Sequence, residues 1–144
     1  ISRCIEWGLP KSEVNRVLAA VGLENAADAS VKQYSLGMKR RLDIGTALLG
    51  NPQLLIMDEP INGLDPVGVI EVRDLLLSLK DKRDKTVLIS SHNLDELEKV
   101  ATSFAFLHQG RLLVKEENSY KDRSLEKRFL DLIGEADNAT SATD

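Results

Sequence analysis

At 144 residues, with 42% hydrophobic and 29% charged residues, the sequence is long enough to bury a core and too apolar for a disordered chain. Nineteen Lys and Arg against 23 Asp and Glu give a formal charge of -4, which disfavours a strongly basic nucleic-acid binder. The single cysteine, Cys4, excludes an internal disulfide framework, and no apolar run approaches the roughly 18 residues of a membrane-spanning helix.

In chain order, Pro10 opens a helix on which Val14, Leu18 and Val21 recur at helical spacing until Gly22 stops it. Residues 22–34 read as a connection. A second helix is expected over Leu36–Leu49, closed by Gly50-Asn51-Pro52. The apolar run Leu54-Leu55-Ile56-Met57 ending at Asp58 predicts a strand buried on both faces. Asp65-Pro66 is a helix start in which the carboxylate can cap the amides, and Val69, Val72, Leu76 and Leu79 form that helix's apolar stripe.

Lys80–Lys85 is a charged turn, and Thr86–Ser91 is a second buried strand. His92 and Asn93 lead into a helix with acidic residues in its first turn. Ser103–His108 and Arg111–Lys115 predict a hairpin around Gln109-Gly110, and Ser124–Ile133 a last helix. The tail after Gly134 is small, polar and acidic and reads as disordered. Alternating strands and helices indicate an α/β fold with a parallel sheet.

Three features could carry chemistry. In open parallel sheets ligands bind at the carboxyl ends of strands, where this chain places the successive carboxylates Asp58 and Glu59. One could help hold Mg²⁺ while the other orients or deprotonates a water, or both could simply cap the following turn. His92 ends the next strand and would reach the same edge. Tyr34-Ser35-Leu36-Gly37-Met38 lies at a helix start, where a hydroxyl and unpaired amides make either an anion site or an ordinary cap.

The order of these elements resembles the ABC transporter ATPase family. Tyr34-Ser35-Leu36-Gly37-Met38-Lys39-Arg40-Arg41-Leu42 is similar to the signature motif, Leu54–Pro60 to the Walker B strand, Asn62-Gly63-Leu64-Asp65-Pro66 to the D-loop, and Ser90-Ser91-His92 to the switch histidine. Within the family the wording is most like the bacterial exporters of bacitracin and lantibiotic type. Leu36 and Met38 depart from the commoner Gly and Gln, Arg40 from a usual Gln, and Ile61 from a usual Thr; none removes a charged catalytic group.

The resemblance implies a P-loop NTPase-like (RecA-like) parallel sheet with flanking helices, and ATP with Mg²⁺ as the ligands. It implies Asp58 as the Mg²⁺ residue, Glu59 as general base for the attacking water, and His92 as a contact to the γ-phosphate. Ser35, Leu36, Gly37, Met38, Asp58 and Asp65 would form the nucleotide-contacting set. Ser35 and Gly37 would serve ATP held by the opposite subunit of a head-to-tail ATPase dimer, with Asp65 in the loop that crosses to it. A membrane-spanning permease would be the other partner, holding the cytoplasmic ATPase peripherally at the inner face of the plasma membrane. Trp7 is expected to be a partly buried aromatic and Lys39-Arg40-Arg41 a solvated basic face.

A Walker A loop, Gly-x-x-x-x-Gly-Lys-Ser/Thr, is not found. Gly45–Gly50 matches its spacing, but Asn51-Pro52 follows where lysine and a hydroxyl belong, and the segment is helical in expectation. The chain, which starts at Ile1 rather than Met, therefore reads as a C-terminal fragment truncated ahead of the signature, so that the P-loop strand is absent and the 144 residues alone neither bind nor hydrolyse ATP. On that reading residues 1–33 belong to a helical subdomain, 34–115 to the ATPase core, 116–133 to a C-terminal helical extension and 134–144 to the disordered tail. The alternatives are a non-transport ABC ATPase, ribosome-associated or in DNA repair, and a catalytically inert remnant.

Overall fold

A computed structural model describes residues 6–80, 84–117 and 124–141. Cys4, the middle of the charged turn (81–83) and the last three residues of the tail lie outside them. The chain divides into two compact units, Ile1–His92 and Asn93–Asp144.

The first unit begins with helix α1 (Lys11–Ala20), for which Pro10 is the extended N-cap. Gly22, at φ +63°, turns the chain out of it. Two single-turn helices follow, Glu24–Ala26 and Val31–Gln33, the second closed by a capping box between Ser30 and Gln33. Helix α2 (Leu36–Ala47) packs on α1. A Cβ on Gly45 would fall 2.9 Å from Val17 Cγ1 and 3.2 Å from Val21 Cγ1, so the glycine that mimics a P-loop position instead lets α1 and α2 close together.

Strand β1 (Leu54–Asp58), helix α3 (Pro66–Lys80) and strand β2 (Thr86–Ser90) form a βαβ unit. The strands pair in parallel from Leu54↔Thr86 to Asp58↔Ser90. Val72, Leu75, Leu76 and Leu79 of α3 are buried, as are Leu55 and Met57 of β1, and α3 packs on β2 and α2. Burial of each such side chain contributes roughly 1.5–3 kcal/mol, more than helix propensity can.

The expectation of strands buried on both faces is corrected: Leu54, Ile56 and Leu88 are 55%, 69% and 58% exposed. A continuous apolar run suits a sheet covered on both sides, and the described residues of this unit cover the inner face of β1 only.

The expected solvated basic face is also corrected at Arg41. Its Nη1 donates to Val21 O (3.3 Å) and Gly22 O (3.2 Å) at the end of α1, and its Nη2 lies 3.3 Å from Glu71 Oε2 on α3. One guanidinium thus joins three helices, using donors that a lysine could not spread so widely. Trp7 is 53% exposed.

A second tie joins α1 to the end of α2. Arg16 grips Glu13 with Nε at 2.8 Å and donates from Nη2 to Leu48 O at 2.9 Å, while Gly50 N–H donates to Glu13 Oε1 at 3.0 Å. The Arg16 hydrogen bond, outweighing partial burial and aided by the Gly50 amide, holds the Glu13 carboxyl below the ordinary glutamate value of 4.5. The folded state then binds this proton less readily than the unfolded chain. The stabilisation is present in full above the unfolded value and is lost as pH falls through the folded one. Denaturation of Glu13→Gln beside the parent should show a stability gap at neutral pH that narrows below about pH 4.5; a gap constant down to pH 3 contradicts this.

The second unit contains α4 (Leu94–Val100), the antiparallel hairpin β3 (Ser103–His108) and β4 (Arg111–Glu117), and α5 (Leu125–Ser141). Gln109 and Gly110, at φ +48° and +77°, make the expected tight turn. Phe104, Phe106, Leu125 and Leu132 form its core, and Phe129 stacks on Phe106 at 5.7 Å. Helix α5 continues past Gly134 to Ser141, where a tail was expected. Gly134 lacks the positive φ of a stop signal, and a glycine in a helix interior costs only about 1 kcal/mol.

Candidate active site

The carboxyl end of the β1–β2 pair gathers acidic, hydroxyl and imidazole groups from two short segments. In-register pairing sets Asp58 beside Ser90, and Ser90 Oγ donates to Asp58 Oδ1. Glu59 then leaves the strand at φ +46°, a left-handed conformation that a non-glycine residue adopts at some cost. The turn lets Glu59 N–H continue the ladder to Ser90 O at 3.0 Å while its side chain reaches across the end of β2.

There the Glu59 carboxylate meets several donors. His92 N–H donates to Oε1 at 3.0 Å, His92 Nδ1 lies 2.8 Å from the same oxygen, and Ser91 Oγ donates to Oε2 at 3.3 Å. The imidazole is 71% exposed at the side chain and Glu59 only 29%, so the acid is sheltered and the ring faces outward. Each carboxylate oxygen has two acceptor sites, so Glu59 retains capacity for a water after these bonds. Asp58, Glu59 and His92 are thus brought together. The two serines were present in the sequence but carried no assignment, because a hydroxyl's partner is set by strand register.

A second cluster forms where α2 and α3 meet. Ser35 is the N-cap of α2, its Oγ accepting from Met38 N–H at 3.1 Å. Leu36 is exposed, Gly37 buried and Met38 half-buried. A Cβ on Gly37 would lie 3.4 Å from Gly68 Cα, and one on Gly68 would lie 2.8 Å from Asp65 Oδ1. Asp65 caps α3 by accepting from Gly68 N–H at 2.9 Å. Ser35, Leu36, Gly37 and Met38 therefore open a helix seated on the one that Asp65 caps. Gly68 was missed by sequence reasoning; a glycine two residues after a helix-opening proline was the only signal available.

Asp58 and Glu59 are hard oxygen donors of the kind that suit Mg²⁺. Among the described residues no group of three or more His, Cys, Asp or Glu gathers to hold a metal by itself. The donor set fits a cation whose remaining ligands are phosphate oxygens and water.

Residues 9–62 match the model of the ABC transporter family. The chain is 46% identical over 109 residues to the bacitracin transport ATP-binding protein BcrA of Enterococcus faecalis, an alignment covering 76% of this chain and 35% of that protein. The chain belongs to the ABC transporter ATP-binding family. It is also 44% identical over 110 residues to the lantibiotic transport ATP-binding protein SrtF of Streptococcus pyogenes, covering 76% of this chain and 48% of that one.

Among solved structures, the chain superimposes on cbiO1 of Clostridium perfringens, part of the ABC transporter complex cbiONQ. The TM-score is 0.69 at 30% identity, over 75% of this chain and 43% of that one. An ATP-binding cassette of an ABC transporter in its ADP conformation gives 0.68 at 27% identity, with the same coverage. The fold is the α/β class with a parallel sheet and flanking helices that the motifs implied. The chain spans between about a third and a half of the length of the curated relatives it matches. No described helix is long and apolar enough to cross a membrane.

Proposed function

We propose that this ABC ATPase chain belongs to the ATP-hydrolysing subunit of a bacterial exporter that confers resistance to an antimicrobial peptide. The reading is supported by the likeness to the bacitracin and lantibiotic transport proteins. The observation that carries it is the convergence of Asp58, Glu59 and His92 at one strand edge. The subunit would work as a head-to-tail pair docked on a membrane permease at the inner face of the plasma membrane.

Mg²⁺ bound with the nucleotide would neutralise charge on the β- and γ-phosphates. Asp58 would hold that cation, directly or through water. Glu59, held by Ser91 and His92, would accept the proton of the attacking water, using the acceptor capacity that its hydrogen bonds leave. His92 would reach the γ-phosphate through Nε2, with its Nδ1 held against Glu59. Ser35 and the first-turn amides of α2, with Leu36, Gly37 and Met38, would present the positive end of a helix to the phosphates of the partner's nucleotide. Asp65 would orient the crossing loop by capping α3.

The lysine and amides of a P-loop are not among these residues, so the test belongs to the full-length protein, alone and reconstituted with its permease. Mg²⁺-dependent ATP hydrolysis, raised by the permease and by the exported peptide, is expected. Absence of hydrolysis in both preparations would sink the reading.

A further inference from the structure

Parallel register does more at this edge than bring the carboxylates near the histidine. At the end of β1 and just beyond it, each successive acid has its own hydroxyl from the end of β2 or just beyond: Ser90 donates to Asp58 Oδ1, and Ser91 to Glu59 Oε2. Asp58 is the last residue of its strand, is exposed, and ends a side whose other members, Leu54 and Ile56, are exposed too. No described hydrogen bond other than that from Ser90 fixes the Asp58 carboxylate. Ser90 is itself exposed and extended, so water could satisfy both groups if the bond were lost.

We propose that Ser90 is a positioning residue for Asp58, holding one carboxylate oxygen so that the other is presented to the cation of a Mg²⁺-nucleotide. This rests on the function proposed above and adds a residue and a division of labour to it. Without the hydroxyl, the short Asp58 side chain samples several rotamers, and cation binding must select one of them. The effect therefore falls on metal affinity and only weakly on folding, because a bond between exposed groups contributes little to stability. Ser91 does not take this place: it lies just past the end of β2, and its hydroxyl serves Glu59.

The test uses the full-length protein in a Glu59→Gln background. That change silences hydrolysis and touches only the side-chain partners of Glu59, which are Ser91 and His92; the backbone bond from Glu59 N–H to Ser90 O is left in place. With ATP bound, Mn²⁺ replaces Mg²⁺ and its binding is followed by electron paramagnetic resonance, with thermal melting measured in parallel. Ser90→Ala should raise the Mn²⁺ concentration for half-saturation about five- to tenfold, with little change in melting. Ser90→Thr keeps the hydroxyl and suits an exposed strand position, so it should return the titration to within about twofold of the parent.

Ser90→Val, which has the shape of threonine without the hydroxyl, should behave like alanine, and the Thr–Val comparison decides the matter if alanine perturbs folding. A Ser90→Ala titration that overlays the parent, or threonine and valine titrations that coincide, overturns the proposal. A parent that binds ATP but no Mn²⁺ also overturns it, by removing the cation. A parent that binds no ATP overturns the function proposed above, and the role of Ser90 falls with it.

Discussion

Glu59→Gln in the full-length protein is expected to lower steady-state ATP hydrolysis by about 10²- to 10⁴-fold while leaving nucleotide binding close to that of the parent. The amide keeps the length of the side chain and one oxygen, which can still accept from His92 N–H, the contact now made at 3.0 Å. It loses the basic carboxylate that would take a proton from water. Because the Glu59 turn at φ +46° is fixed by its backbone bond to Ser90 O, the substitution leaves the geometry of the strand edge in place. The measurement is phosphate release beside binding of a fluorescent nucleotide. Activity within about tenfold of the parent would remove Glu59 from the role of general base.

What could be read in advance follows the range of the forces involved. The two strands, the helix starts at Ser35 and Asp65, and the turn at Gln109-Gly110 depend on residues within a few positions of one another. Local sequence therefore carries them. The gathering of Asp58, Glu59 and His92 needed one further step, the rule that parallel strands deliver their carboxyl ends to a common edge. Ordered motifs supplied the strand pairing that a single apolar run cannot.

The parts that escaped depend on distant partners. The stripe Leu54 and Ile56 is as apolar as a doubly covered strand, and the described residues supply a cover for the other face alone. Arg41 sits in a basic triplet that reads as a surface face, yet it joins the two carbonyls that follow α1 to a carboxylate of α3. The matches of Ser90 to Asp58 and Ser91 to Glu59 depend on register, and a slip of one residue would break both. Gly45 shows the reverse error that sequence reading must resist. Its spacing copies a phosphate loop, while its missing side chain makes room for Val17 and Val21.

Gly68→Ala is expected to destabilise the protein by about 1 kcal/mol, against the general preference of helices for alanine. In an exposed helix interior this change gains roughly 1 kcal/mol. Here the added methyl would sit 2.8 Å from Asp65 Oδ1 and 3.4 Å from Leu64 Cβ. The aspartate can swing away, but the same oxygen accepts from Gly68 N–H at 2.9 Å, so relief of the clash gives up the cap of α3. Loss of such a cap costs about 1 kcal/mol. Movement of the helix instead is resisted on its far side, where Gly68 lies against Gly37 at the start of α2. A helix shift of that kind costs roughly 1–3 kcal/mol in place of the cap. Gly68 stands in the first turn of α3 and is buried, so the full interior gain does not apply, and either cost falls on the junction that joins Ser35 and Gly37 to Asp65. Chemical denaturation of the full-length protein reads the sign directly. A Gly68→Ala protein as stable as the parent or more so would show that the two helix starts are not held in contact by this pair of glycines, and that Asp65 is free to leave its cap.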